Sequence, residues 1–328
     1  MKNKQKNSDN KPVIIVICGP TCIGKTSVGI KLAKGVCGEI INADSMQIYK
    51  HMDIGTAKPT PSEQKLVPHY MLDIINPDEL FDVAMFVKKA EPVISKLYSQ
   101  NKIPFIVGGT GLYIKALLYG LSPPGPANPK LMKCLKNEAE KYGSKFLHKK
   151  LSGFDKDAAE KIHPNDTFRL VRAIITFEMT GKTISEFHKE HMFSEKRYNV
   201  LKIGLNMDRN KLYQRINTRV DMMLDAGLLN EVKMLLDMGY SEALNSMKSI
   251  GYRHINDYIQ NRFSWNETVR LMKRDTRRYA KRQLTWFGAE QDILWVNPDS
   301  ISLVEKKIEE FLFEERGGNN FHRGTSKK

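Results

Sequence analysis

Gly19-Pro20-Thr21-Cys22-Ile23-Gly24-Lys25-Thr26 follows the apolar run Val13–Cys18 and opens a segment of helical character from 25 to about 34. The pattern is G-x-x-x-x-G-K-T, set between a strand and a helix. Its glycines let backbone N–H groups face an anion, and the helix N-terminus adds partial positive charge. Lys25 supplies a full charge, and the Thr26 hydroxyl is placed to ligate a Mg²⁺ that arrives with phosphates. The stretch therefore predicts a site for adjacent phosphates built from Gly19, Pro20, Thr21, Cys22, Ile23, Gly24, Lys25 and Thr26. It does not specify a nucleotide.

Outward from this loop, residues 39–43 read as a second strand ending at Asp44. A β-α-β unit of this length places Asp44 at the carboxyl edge of a parallel sheet, beside the phosphate loop. Residues 46–59 lack regular periodicity and read as a binding loop. A strand over 70–75, a helix over 82–99 and a buried strand over 103–107 follow. That last strand enters Gly108-Gly109-Thr110-Gly111 and a helix over 112–118. Two glycine junctions at one sheet edge favour a shared ligand, although tight packing alone would also call for glycine.

The Pro- and Gly-rich residues 122–129 mark a boundary, after which strand and helix no longer alternate. Residues 130–192 are helical in pattern, broken at Gly143, Gly153, His163–Asp166 and Gly181. Asp166 or Thr167 would cap a helix that carries Arg169 and Arg172 on one face. A strand over 199–205 returns the chain to the first sheet. Helices over 210–226, 229–238, 249–260 and 266–287 come next, then a strand over 293–296 and a helix over 303–314. The expected fold is α/β: a P-loop NTPase-like parallel sheet flanked by helices, with an inserted small all-helical domain. The core takes 1–124 and 196–316, the insertion 125–195, and 317–328 form a disordered tail.

The 328 residues carry a net charge of +15, which points to a polyanionic partner, nucleic acid first. From Arg270 to Arg282 seven cations face one acid, with Arg270, Lys273, Arg274, Arg277, Arg278 and Lys281 sharing a broad helical face. Such a run is usually a solvated face. Together with Arg169 and Arg172 it favours phosphodiester contact. Arg215 and Arg219, at i, i+4, form a surface pair or send a cation to the phosphate pocket. Apolar runs are of strand length, which excludes a membrane span, and no secretory signal is read. The four cysteines lack metal or disulfide spacing, as expected of reduced thiols in the cytoplasm. No heptad seam is present, and a monomer is expected. On these residues alone an ATP-dependent kinase, with Asp44 taking a proton or holding Mg²⁺, remains open.

Several segments in order carry a resemblance: Gly-Pro-Thr-x-x-Gly-Lys-Thr at 19–26, Ala-Asp-Ser-Met-Gln-Ile-Tyr-Lys at 43–50 and Met-Asp-Ile-Gly-Thr-Ala-Lys-Pro at 52–59. They continue with Val-Gly-Gly-Thr-Gly-Leu-Tyr at 107–113, His-Pro-Asn-Asp at 163–166, Ile-Gly-Tyr-Arg at 250–253 and Tyr-Ala-Lys-Arg-Gln-x-Thr-Trp-Phe at 279–287. From about 13 to 297 the chain resembles bacterial-type tRNA dimethylallyltransferases, also called tRNA isopentenyltransferases. The resemblance implies transfer of a dimethylallyl group from dimethylallyl diphosphate to N6 of the adenosine just 3′ of the anticodon, in tRNAs reading codons that begin with U. The phosphate loop then holds the donor's diphosphate. Asp44 matches the residue that engages the acceptor amine. Thr21, Lys25, Thr26 with Mg²⁺, and Arg219 match the set that stabilises the leaving diphosphate, and Thr110 a residue at the substrate channel. Asp44, Ser45, Met46 and Gln47 would line the channel for a flipped adenosine. Two further segments match tRNA contacts: Phe168, Arg169, Leu170, Val171 and Arg172, which would grip the anticodon stem-loop, and Lys248, Ser249, Ile250, Gly251, Tyr252 and Arg253. The chain departs from the family at Ile23, for a usual serine, at His51, for a glycine, at Phe168, for a glutamine, and at Gly288, for an arginine. An adenylate isopentenyltransferase uses the same donor but needs neither insertion nor basic helix.

Overall fold

Strands rich in Ile and Val, with no polar alternation, build a sheet covered on both faces. The computed structural model describes residues 11–120, 128–191, 197–290 and 292–315. Its strands are β1 (Val13–Cys18), β2 (Gly38–Ala43), β3 (His69–Tyr70), β4 (Ile103–Gly108), β5 (Asn199–Leu205) and β6 (Ile293–Val296). They form one parallel sheet in the order β3-β2-β4-β1-β5-β6. Ile14, Ile15, Val16 and Ile17 of the central β1 are all fully buried, as a strand covered on both faces requires.

The helices of this part are α1 (Lys25–Gly35), α2 (Pro61–Leu66), α3 (Val83–Ser99) and α4 (Gly111–Tyr119). The all-helical stretch follows as α5 (Pro129–Tyr142), α6 (Ser144–Ser152), α7 (Lys156–Lys161), α8 (Thr167–Thr180) and α9 (Ile184–His191). After β5 come α10 (Arg209–Asp225), α11 (Leu228–Asp237), α12 (Tyr252–Ile259) and α13 (Trp265–Gly288), and α14 (Ile301–Glu315) follows β6. Ile15 and Ile17, Phe105 and Val107, and Ile203 pack in one core with Leu32 of α1 and Val304, Ile308 and Leu312 of α14. The chain divides into two compact units, Met1–Leu118 with Arg197–Lys328, and Tyr119–Lys196. In the second, Leu135, Leu147, Leu151, Leu170 and Ile174 form a core of their own. Asp166 caps α8, its Oδ1 accepting the Arg169 N–H at 3.1 Å. The tail over 317–328 and most of the Pro-rich boundary lie outside the described residues.

Two expectations are corrected. The strand over 70–75 stops at Tyr70, because Met71 (φ 64°) and Asp73 (φ 52°) turn the chain through left-handed conformations. The helix expected from 249 begins at Tyr252, after Gly251 (φ 94°). The sheet order also refines the β-α-β reading. β2 is not the neighbour of β1, since β4 lies between them. Asp44 therefore stands two strands away from the phosphate loop, with the glycine-rich end of β4 in the gap.

Candidate active site

The loop after β1 is shaped by its glycines. Gly19 (φ 139°) passes so close to β5 that a Cβ would meet the Leu205 carbonyl oxygen at 2.6 Å. Gly24 (φ 99°) is the N-cap of α1 and brings no side chain to the helix end, which leaves the first amides of α1 to the loop. Lys25 curls back so that its Nζ donates to the Pro20 carbonyl at 2.7 Å. Burial draws the Lys25 ammonium down to about 8, opposed by the charge of Asp44 and assisted by that of Arg219. Ile23 is fully buried in the sheet core, so this departure from the usual serine is spent on packing. Thr26 lies half-buried on the first turn of α1.

Thr21, Cys22, Asp44, Ser45, Met46 and Arg219 line a single cavity of about 280 Å³ at the carboxyl edge of the sheet. Asp44 Oδ1 accepts the N–H groups of Met46 (2.8 Å) and Gln47 (3.3 Å), which fixes the carboxylate as the chain leaves β2. Arg219 arrives from α10. Its helical neighbour Arg215 reaches the Ile23 carbonyl at 3.5 Å, so the i, i+4 pair places one cation on the loop backbone and the other in the cavity wall. Tyr279 of α13 lines the same space; burial first, and the Asp44 charge second, push its phenol well above the usual range. Thr110 does not line this cavity. Its N–H donates to the Ala43 carbonyl (3.1 Å) and its Oγ accepts the Ser45 N–H (3.0 Å), which braces the turn that carries Asp44.

The opposite wall comes from the 46–59 loop through Gly55, Thr56 and Ala57. A buried carboxylate holds it there. Glu231 of α11 accepts the Asp53 N–H (2.9 Å) and Ile54 N–H (2.7 Å) on Oε2, and the Gly55 N–H (3.0 Å) and Tyr252 hydroxyl (2.6 Å) on Oε1. Gln47 Nε2 donates to the Thr56 and Ala57 carbonyls at 3.2 Å each, and Lys58 Nζ ties Asp53 (2.5 Å) to Asp73 (2.6 Å). The sequence offered no signal for Glu231, an acid inside an amphipathic helix that reads as surface.

The IPP transferase family model matches residues 47–290, and the isopentenyl transferase model matches residues 12–75. The chain belongs to the IPP transferase family. One relative, tRNA dimethylallyltransferase 2 of Syntrophus aciditrophicus, is 47% identical over 305 residues, covering 93% of this chain and 98% of that protein. The tRNA dimethylallyltransferase of Halothermothrix orenii is 48% identical over 319 residues, covering 95% and 97%. The structure of the full-length tRNA isopentenylpyrophosphate transferase from Bacillus halodurans matches with a TM-score of 0.71 at 38% identity, over 94% of this chain and 99% of that one. A eukaryotic dimethylallyltransferase, solved acting on tRNA, matches with a TM-score of 0.77 at 26% identity, over 95% and 81%.

Within this family member the remaining expected site residues separate by exposure. Ser249 and Ile250 line the cavity. Lys248 and Arg253 are exposed, and Arg253 pairs with Asp275 at 2.5 Å. Tyr252 is fully buried against Gly55 and spends its hydroxyl on Glu231, so its side chain offers nothing to RNA. Gln47 is likewise taken up by the loop it braces. In the helical unit Phe168 is 71% exposed and shares a groove of about 350 Å³ with Lys136 and Arg172. Arg169 pairs with Asp166, Leu170 is buried in the unit's core, and the largely buried Val171 contributes to the floor of the same groove.

Two broader expectations change. The glycines of the second junction admit protein, not ligand: a Cβ on Gly109 would meet Gln283 Nε2 at 2.2 Å, and one on Gly111 the Trp286 Nε1 at 2.0 Å. Close docking of α13 accounts for Gly109 and Gly111, while Gly108 makes room for β2, where a Cβ would meet the Ala43 carbonyl oxygen at 2.1 Å. Nor is the basic face of α13 wholly free. Lys273 pairs with Asp221, Arg277 donates to Asn217, and Arg270 to Glu267. Arg274 and Arg278 both pair with Asp275, where burial opposes ionisation but hydrogen bonds from Arg274 and His254 hold the carboxyl at about 2.

Proposed function

We propose that the chain transfers the dimethylallyl group of dimethylallyl diphosphate to N6 of the adenosine 3′ of the anticodon, in tRNAs that read U-starting codons, with release of diphosphate. The observation that carries this is a carboxylate, Asp44, facing the same cavity as the phosphate-loop residue Thr21 and the cation Arg219. An exocyclic amine is a weak nucleophile and gains from an acceptor for its N–H as the new bond forms. Both loop hydrogen bonds fall on Asp44 Oδ1, which reserves Oδ2 for that amine. The leaving diphosphate gathers negative charge, met by the α1 amides, Lys25, Arg219 and the Thr21 hydroxyl.

Among the described residues no group of three or more His, Cys, Asp or Glu is arranged to hold a metal ion. Mg²⁺ bound through substrate phosphate and water needs no such group, and the Thr26 hydroxyl on the first turn of α1 fits that mode. When bound there it would neutralise part of the diphosphate charge. Phe168, Arg169 and Arg172, with Lys248 and Arg253, would contact the anticodon stem-loop by stacking and phosphate pairing. We place the enzyme in the cytoplasm as a monomer, consistent with its reduced-thiol composition; among the described residues no helix is long and apolar enough to cross a membrane.

The test is incubation with Mg²⁺, dimethylallyl diphosphate and unmodified tRNA, followed by mass spectrometry of the nucleosides, with AMP and Asp44→Ala run alongside. Prenylated adenosine from tRNA, none from AMP, and a loss on the order of 10²–10⁴-fold in the variant are expected. Prenylated AMP with untouched tRNA, or ATP consumption without prenylation, would overturn the assignment.

A further inference from the structure

One side chain connects the ends of two central strands, and the residue next to it in that connection reaches a third. β1, β4 and β2 are neighbours in the sheet, and their carboxyl ends carry Thr21, Gly109 and Asp44 respectively. Gln283 reaches this edge from α13 and is buried there. Its Oε1 accepts the Thr21 N–H at 2.8 Å, and its Nε2 donates to the Gly109 carbonyl at 2.9 Å. One acceptor and one donor are used, so only one orientation of the amide satisfies both. The next residue continues the connection: Thr110 donates to Ala43 and accepts from Ser45, the neighbour of Asp44.

The phosphate loop needs such a hold. Cys22 sits at φ 64°, a left-handed conformation that is strained for a non-glycine residue and persists where the surroundings over-determine it. Gln283 grips the residue just before it. It also removes the Thr21 N–H from the donors that can meet a phosphate, leaving the Thr21 hydroxyl for the cavity. Gly109 must then be glycine, because any Cβ would displace the Gln283 amide.

We infer that Gln283 is a positioning residue for group transfer, setting the span between the phosphate loop and Asp44 and hence the line along which the acceptor amine meets the donor carbon. This rests on the prenyl-transfer reading. It deepens that reading by naming the part that registers donor against acceptor, without itself touching either.

Two variants test it. Gln283→Leu keeps the bulk and removes both hydrogen bonds; Gln283→Glu keeps the acceptor for Thr21 but sets a carboxylate against the Gly109 carbonyl. Misplacement of reacting groups by about 1 Å costs on the order of 10²-fold, so kcat for tRNA prenylation falls roughly 10- to 100-fold in both, with KM for tRNA within about twofold of wild type. Phe287→Leu, a core change one turn along the same helix, is the stability control and keeps its kcat at an equal loss of Tm. The rate of Gln283→Glu relative to wild type recovers as pH falls, since the protonated acid regains a donor for Gly109. A kcat within about twofold of wild type, a loss matched by the Phe287 control, or a flat relative pH profile overturns the inference. A wild-type enzyme that prenylates nothing in the same assay refutes the proposed function instead.

Discussion

Replacing Glu231 with glutamine probes how the cavity wall is held. The carboxylate accepts four hydrogen bonds, two on each oxygen, from three consecutive backbone amides and the buried Tyr252 hydroxyl. A glutamine has one acceptor oxygen, so in either orientation two of these donors confront an N–H₂ group. Hydrogen bonds to a charged acceptor contribute about 1.5–3 kcal/mol each, and two are lost. Against this, a neutral amide costs less to bury than a carboxylate. The net expectation is a loss of about 3–5 kcal/mol. The assay is urea unfolding, read as a lower midpoint at unchanged slope, with hydrogen exchange at 53–55 as the local reporter. Because Gly55, Thr56 and Ala57 wall the cavity, KM for tRNA also rises. A loss below about 1 kcal/mol with those amides still protected would refute the reasoning, for it would mean that the loop holds its shape without the carboxylate.

Lys25 and the RNA face give two more. Lys25 sits at about 8 in the folded protein against 10.5 as its ordinary value, so between these the unfolded chain binds more protons and stability rises with pH. Diphosphate restores the charged form, so binding at pH 8 takes up about half a proton, measured by calorimetry in buffers of different ionisation enthalpy; Lys25→Arg abolishes the uptake. Arg169→Ala with Arg172→Ala weakens tRNA binding and lowers the slope of log K against log salt by about 2 at most, read by filter binding across a salt series. An unchanged slope would remove these arginines from the interface.

Local pattern determined much by itself. G-x-x-x-x-G-K-T between strand and helix located the phosphate loop, and Ile- and Val-rich strands alternating with helices read as a parallel sheet. Asp44 was legible because a strand end in a β-α-β unit points to the functional edge of a sheet. These are short-range features, encoded within a few residues of where they act. Tertiary structure decided the rest. That β4 separates β1 from β2 follows from strand pairing across more than sixty residues, which no local periodicity encodes. Thr21 and Gln283 lie 262 residues apart, and Glu231 meets Gly55 across 176. An amide or a carboxylate on a helix reads as surface until its partners fold onto it. The glycines of 108–111 carry the same lesson, since what each one makes room for, a neighbouring strand, α13 or a ligand, is a matter of packing. The sequence by itself determined where the glycine-rich loop lies and which carboxylate stands at the sheet edge. Only the fold decided what holds them at a working distance, because hydrogen bonds and close contacts depend on proximity in space and not along the chain.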